Sequence, residues 1–196
     1  MTHLFIINPA AGSKNRTEEY REKIKAACDK RGLTYQIQIS HAPGDCRKLA
    51  RAAAETGGKY RIYACGGDGT LNEVVSGVMQ LEDKPVIGYI PTGSTNDFAT
   101  SIGLKKNMLN NAKIAVGGYK YKVDVGTFNQ DRNFVYVVAF GAFTEVSYAT
   151  PQKLKNVIGH PAYLIEGIKS LPSIKSHHMR FEFNDKVIED DFIYDS

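Results

Sequence analysis

The residues whose types and spacing carry the most chemistry lie in one stretch, Gly66-Gly67-Asp68-Gly69-Thr70-Leu71-Asn72. Three glycines within four residues let the backbone turn sharply and clear away side chains that would stand in a ligand's path. Before the stretch, Tyr60 to Ala64 form an apolar run that reads as a buried strand. After it, Leu71, Val74, Val75, Val78 and Met79 recur at helical spacing. The start of such a helix points free backbone N–H groups and the positive end of the helix dipole into the turn. An anion fits there, phosphate above all. A carboxylate at Asp68 would repel a bound phosphate unless a cation lay between them, which points to Mg²⁺ or to a hydroxyl awaiting activation. A tight strand-to-helix turn with Asp68 as a helix cap accounts for the same residues without a ligand.

Two further loops share this character. Leu4 to Ile7 read as a first strand, followed by Asn8-Pro9-Ala10-Ala11-Gly12-Ser13-Lys14, where Pro9 stops the strand and small residues keep the loop compact. That loop lacks the spacing of a Walker loop or of G-x-G-x-x-G, so a plain turn explains it equally well. Pro85 to Ile90 read as a strand followed by Pro91-Thr92-Gly93-Ser94-Thr95-Asn96-Asp97. All three loops follow strands, and ligands of open α/β sheets bind at the carboxyl ends of strands. They should therefore converge on one cleft, with Gly67 and Gly93 on the same edge of the sheet.

The elements that position these loops alternate. A helix is expected over Thr17 to Arg31, with Thr17 as N-cap and Gly32 closing it; then a strand at Tyr35 to Ser40, a helix at Cys46 to Thr56, the turn at Gly66 and its helix to about Leu81, a short helix at Phe98 to Ile102 and another at about Asn107 to Val116. This order predicts an α/β fold with a doubly wound parallel sheet. The pattern changes near Gly118. Tyr119 to Gly126 alternate, Asn133 to Phe140 are strand-like with a turn at Gln130 to Arg132, a helical stretch covers Pro161 to Leu171, and strands at His178 to Phe183 and Lys186 to Tyr194 turn at Asn184-Asp185. The division expected is a nucleotide-binding unit over residues 1–125 and the beginning of a β-rich second unit over 126–196. The final strand has no partner visible in the sequence, so the chain reads as a fragment of a longer protein.

Gly66-Gly67-Asp68-Gly69-Thr70-Leu71-Asn72-Glu73-Val74 closely resembles the signature of the diacylglycerol kinase catalytic domain family. Pro91 to Ala99 match that family's second signature, and Asn8 to Gly12 its first-strand loop, all in the family's order. The first signature is shared with NAD kinases; the second makes the lipid kinase resemblance specific. It implies a lipid kinase that moves the γ-phosphate of ATP to a hydroxyl of diacylglycerol or a related lipid, with Mg²⁺. It implies that Asn8, Pro9, Ala10, Ala11, Gly12, Ser40, Gly66, Gly67, Asp68, Gly69, Thr70, Leu71, Asn72 and Ser94 hold ATP. Asp68 and Asp97 would organise Mg²⁺ and the reacting hydroxyl, and Asp124 would join them or serve as a strand-end residue. Asn72 and Asn96 would brace the loops. The family's acidic Mg²⁺ loop and its late general base would lie beyond Ser196. An NAD kinase and a non-catalytic nucleotide-binding fragment are the competing readings.

Composition sets the remaining limits. The 196 residues are 42% hydrophobic and 23% charged, and no apolar run approaches the ~20 residues that span a bilayer. The first residues read as a strand, not a signal peptide. Cys28, Cys46 and Cys65 are far apart and lack metal-binding spacing, which suits a reduced cytoplasmic setting. A net charge of +4 allows peripheral contact with an anionic membrane, Lys153, Lys155, Lys169, Lys175 and Arg180 being the candidate cations; a solvated basic face explains them equally well. Phe140, Phe143, Tyr148, Ile158, Tyr163, Leu164 and Ile168 are either an acyl cleft or ordinary core. No nucleic-acid partner is expected, and a homodimer is left open.

Overall fold

The computed structural model describes residues 1–104, 112, 115–118, 120, 122–129, 132–141 and 176–195. These fall into two compact units, Met1–Tyr136 and Val137–Ser196.

The first unit is built on four parallel strands, β1 (Thr2–Ile7), β2 (Tyr35–Ile39), β3 (Tyr60–Gly66) and β4 (Val86–Pro91), in the order β2-β1-β3-β4. β1 and β3 are central, and their residues are almost continuously buried, as strands covered on both faces must be. Helix α1 (Thr17–Asp29) packs on the face of Phe5, Ile7, Tyr63 and Cys65. Helices α2 (Asp45–Glu55), α3 (Asp68–Val78) and the short α4 (Asp97–Ser101) cover the other face, with Leu4, Ile6, Ile62 and Ala64. Each fully buried aliphatic side chain of these two layers contributes about 1.5–3 kcal/mol. The expected doubly wound parallel sheet is the fold observed.

The order of the strands places the site. From β1 the chain steps outward to β2, then crosses back over β1 to β3 and on to β4. The direction of winding reverses between β1 and β3, and a crevice opens there at the carboxyl ends. Asn8, after β1, donates its backbone N–H to the carbonyl of Cys65 at 2.9 Å, and Thr92, after β4, donates to that of Gly66 at 2.8 Å. The loops are thus stitched side by side. Close packing extends to the helices: a Cβ on Gly77 of α3 would lie 2.4 Å from the carbonyl oxygen of Arg47 in α2, so only glycine allows that approach.

Several local expectations are corrected. Thr17 does not cap α1; the Asn15 side chain accepts from both its backbone N–H (3.0 Å) and its hydroxyl (2.6 Å), because Thr17 already has helical geometry. The alternation of Tyr119 to Gly126 does not form a strand among the described residues of that run before Gly126. Strand β5 (Gly126–Phe128) pairs with β6 (Arg132–Phe134) as an antiparallel hairpin within the first unit, and the strand expected to run on to Phe140 stops at Phe134. The helix expected over 107–116 is helical at Ala112 and at 115–117, its other residues lying outside those described.

In the second unit β7 (Phe140–Gly141) pairs antiparallel with β10 (Tyr194–Asp195), so the end of the chain does find a partner, contrary to expectation. Strand β8 (His177–Phe183) pairs with β9 (Lys186–Phe192) through the expected turn, with Asn184 and Asp185 at φ 46° and 62°. Arg180 is paired with Glu182 and Glu189 on one face of this hairpin, which occupies a cation proposed for headgroup contact. The helical stretch at 161–171, the four candidate lysines and the acyl-cleft candidates from Phe143 onward lie outside the described residues. Among the described residues no helix is long and apolar enough to cross a membrane.

Candidate functional site

Around the crevice the motif residues first build one another. Asn8 uses its side chain twice: Nδ2 donates to Thr70 Oγ1 at 3.0 Å, and Oδ1 accepts the N–H of Ala10 at 3.0 Å. Thr70 is buried against Gly66, where any Cβ would fall 2.2 Å from Thr70 Oγ1. Gly12, at φ +85°, lies under the carbonyl of Thr92, 2.7 Å from where its Cβ would be. The loops after β1, β3 and β4 therefore interlock.

The two glycine-rich loops meet at Gly67 and Gly93. A Cβ on Gly93 would approach the Gly67 Cα to 2.6 Å, so both lie on the same edge as expected. Asp68 follows at the first position of α3, with its carboxylate turned across to α4 and not back along its own helix. Oδ2 accepts the N–H of Asp97 at 2.9 Å and Oδ1 that of Phe98 at 3.1 Å. Asp68 is thus a cap, but of α4. Asn96 holds the intervening loop in a left-handed turn at φ 56°: Oδ1 accepts from Gly93 N–H at 2.9 Å and Nδ2 donates to Gly93 O at 2.7 Å. This is the bracing role expected of it.

Two residues not singled out from sequence complete the frame. Tyr89, 8% exposed on β4, donates its hydroxyl to Asn96 Oδ1 at 3.3 Å, within the field of the Asp68 carboxylate. Burial and that negative charge push the phenol well above its usual range. Glu73 accepts the N–H groups of Gly44 (3.0 Å) and Cys46 (3.2 Å), closing the start of α2 from α3. Glu73 stands in the signature itself, but nothing in its spacing says that its partner is 27 residues upstream. Tyr89 gave no signal beyond an inward strand position.

The other expected residues separate into two groups. Gly69, Ser94 and Asp97 are exposed at the rim, and Ala10 beside them. Leu71 and Thr70 are buried supports. Ser40 reaches the carboxyl edge, donating its N–H to Ile7 O at 3.0 Å, and its side chain is buried. Asn72 Oδ1 and Thr92 Oγ1 are buried without a hydrogen-bond partner, in the two signatures. The cysteines are buried free thiols; burial lifts Cys28 to about 11 and Cys65 higher, so none is poised as a nucleophile. Asp124 is exposed, and among the described residues no three carboxylate, imidazole or thiol groups gather in a metal-binding arrangement. An open hollow of about 610 Å³ adjoins Pro9, lined also by Asn15, Arg16, Thr17, Glu19 and Ile39.

A doubly wound sheet with two glycine-bearing loops meeting at its switch point defines the class of this protein as α/β. The chain belongs to the diacylglycerol kinase catalytic domain family, whose model matches residues 2–128. It is 35% identical over 185 residues to a diacylglycerol kinase of Staphylococcus epidermidis, covering 94% of this chain and 57% of that one. A Staphylococcus aureus diacylglycerol kinase is 34% identical, with 94% and 58% covered. The chain thus spans less than three fifths of the length of these curated relatives. The crystal structure of a diacylglycerol kinase from Bacillus anthracis str. Sterne shares the fold with a TM-score of 0.73 at 24% identity, covering 98% of this chain and 62% of that one. A second crystal structure from the same strain reaches a TM-score of 0.77 at 25% identity, covering 98% and 63%.

Proposed function

We propose that this chain carries the nucleotide-binding part of an ATP-dependent lipid kinase that phosphorylates a hydroxyl of diacylglycerol or a related lipid. The observation that supports this most is the Gly67–Gly93 contact. It joins the two signatures into one side-chain-free cradle over the start of α3, whose first N–H groups have no partners within the helix. Phosphates take such N–H groups, and Gly66, Gly67 and Gly69 let them come close. Asn8 to Gly12 form the opposite wall, and the hollow beside Pro9 leaves room for the nucleoside.

Mg²⁺ fits this donor set, since it needs one or two carboxylates and takes its remaining ligands from phosphate and water. Asp68 and Asp97 would hold it, directly or through water. When bound, it neutralises charge on the transferring phosphoryl group. Asp68, fixed by two backbone N–H groups, presents its remaining lone pairs without rearrangement. The lipid specificity, peripheral membrane contact, cytoplasmic setting and the division of the chain near residue 125 belong to this proposal.

The test is ATP binding by calorimetry on the chain, together with radiolabelled phosphate transfer to diacylglycerol in mixed micelles by the complete protein and by its Asp68→Asn variant. We expect weak ATP binding by the chain, no transfer by the chain alone, and loss of transfer when the complete protein carries Asp68→Asn. Asparagine keeps one oxygen for one N–H but turns an amide N–H toward the other, so the unfolding midpoint is measured beside turnover. ATP binding unaltered by excess competing NAD excludes the NAD kinase reading. Transfer unchanged in Asp68→Asn would refute the role given to this carboxylate.

A further inference from the structure

The β8–β9 hairpin is sorted by chemistry along its length. Toward its open end one face closes on itself through charge: His178 lies 3.0 Å from Asp191 and 3.2 Å from Glu189, and Arg180 pairs with Glu182 and Glu189. On the other face Phe181 packs edge-on against Phe192, ring centroids 5.2 Å apart. The turn end differs. Phe183, Val187 and Ile188 are large and apolar, yet 48%, 56% and 45% exposed. The register sets Val187 opposite Glu182 and Ile188 opposite Phe181, so Phe183 and Ile188 share one face and Val187 takes the other. Apolar surface therefore wraps the turn end. Charge there cancels: Glu182 is paired with Arg180, and Lys186 stands beside Asp185. The acidic run Glu189-Asp190-Asp191 lies on the open-end side of Ile188.

We propose that this turn end is a membrane-inserting tip, whose occupant is the boundary between headgroups and acyl chains of a lipid bilayer. Size selects lipid over protein. Three half-exposed side chains make a patch on the order of 300 Å², well short of the roughly 800 Å² per partner that a specific protein interface buries. Shallow insertion needs only apolar side chains that reach about 5–10 Å into the boundary. Charge sets the direction. At about 3.3 Å per residue, Asp190 and Asp191 lie roughly 15–20 Å from the turn, so a tip inserted to that depth leaves them in water. The backbone sets the limit. A two-stranded sheet has N–H and C=O groups on both outer edges, which are tolerated at the interface and not in the hydrocarbon core. This tip deepens the lipid kinase reading given above and rests on it for the reason a bilayer should be met, since diacylglycerol resides in one. Insertion itself is measured without catalysis.

The sequence contains no tryptophan, so Phe183→Trp gives the chain a single indole at the tip. His177→Trp gives it one at the open end of the same strand, roughly 20 Å away. Each variant is titrated with phosphatidylcholine vesicles containing diacylglycerol, with and without brominated acyl chains. Phe183→Trp should shift its emission to the blue and be quenched by bromine, with an association constant on the order of 10³ M⁻¹, below the ~10⁴ M⁻¹ of one myristoyl chain. Both effects should survive high salt, because the tip carries no net charge to screen. His177→Trp should show neither. In the complete protein, Phe183→Ser with Ile188→Ser should reduce the fraction sedimenting with the vesicles at least fivefold, while the unfolding midpoint stays within about 2 °C. An indole at 183 that is neither shifted nor quenched overturns the proposal. So does quenching at both positions, which would mean that the hairpin lies flat or unfolds on the vesicle. Shielding at 183 that grows with protein concentration without lipid would assign the tip to a second copy and also overturns it, as does unchanged sedimentation of the complete protein. Insertion without lipid phosphorylation by the complete protein counts against the kinase reading and leaves the tip standing; phosphorylation without insertion does the reverse.

Discussion

Gly69 is the position where demands of the fold and of a ligand can be told apart. It is the second residue of α3, exposed, at an ordinary backbone angle, and a Cβ built on it meets nothing within 4 Å. Fold alone would favour alanine there: glycine in a helix costs roughly 0.5–1 kcal/mol relative to alanine. Gly69→Ala should thus stabilise the chain by up to that amount, an upward shift of about 1–4 °C for a protein of this size. The added methyl would stand in the space assigned to phosphate, over the N–H groups at the helix start. Displacing an anion by even a fraction of an ångström from such donors should weaken ATP at least tenfold, about 1.4 kcal/mol. Differential scanning fluorimetry and calorimetric titration with ATP read the two effects on one sample. A more stable protein with weaker ATP binding is the expected result. A stabilised protein that binds ATP as well as before would refute the placing of phosphate over this turn.

Three further outcomes follow from the geometry. Gly93→Ala must open the two loops from 2.6 Å to the 3.4 Å of ordinary contact, about 0.8 Å; we expect 1–3 kcal/mol lost from stability by overpacking and about 10²-fold from turnover through misplacement, read by denaturant melts and the lipid kinase assay. Glu73→Ala strips the start of α2 of both side-chain acceptors and should cost about 0.5–2 kcal/mol, seen as a lower urea midpoint with unchanged slope. His3, 2% exposed and bonded at 2.7 Å to the Tyr63 hydroxyl, is held below its usual pKa, first by burial and then by Arg61. The unfolded chain therefore binds the proton more readily, so stability is full above about pH 6.5 and declines as the pH falls below it. The difference in melting temperature between the parent and His3→Gln should shrink from pH 7.5 to pH 5, and a constant difference would refute this assignment.

The strands and long helices were legible because their apolar spacing reflects burial directly: Leu4 to Ile7 and Ile62 to Cys65 had no other reading. The same alternation misled at Lys122 to Val125, because period-two patterning becomes a strand only where a partner offers its hydrogen bonds, and among the described residues pairing begins at Gly126. The glycine turns were legible because each glycine answers a local need, as Gly66 does beside Thr70. Asp68, Glu73 and Tyr89 were legible only as types. Their partners lie 27 to 30 residues away for the carboxylates, and Tyr89 meets Asn96 through a turn whose left-handed residue is not glycine. Such contacts are created by the crossovers of the sheet, and no window of neighbouring residues contains them.

The Glu73 contact also bears on the order in which the chain acquires its structure. Helix α2 is complete in sequence by Glu55, yet two N–H groups at its start find their acceptors in Glu73, and its surface at Arg47 fits only the bare backbone of Gly77. During synthesis, which adds residues at about 5–20 per second, α2 leaves the ribosome ahead of α3 by at least a second. Through that interval its first turn is frayed and its apolar side uncovered, which makes the nascent segment a binding target for a holdase. Arrival of α3 supplies the seal and the cover together. The two helices should consequently open as one cooperative unit in native-state exchange, and a stalled chain in which α2 has emerged from the ribosome but α3 has not should leave α2 unprotected.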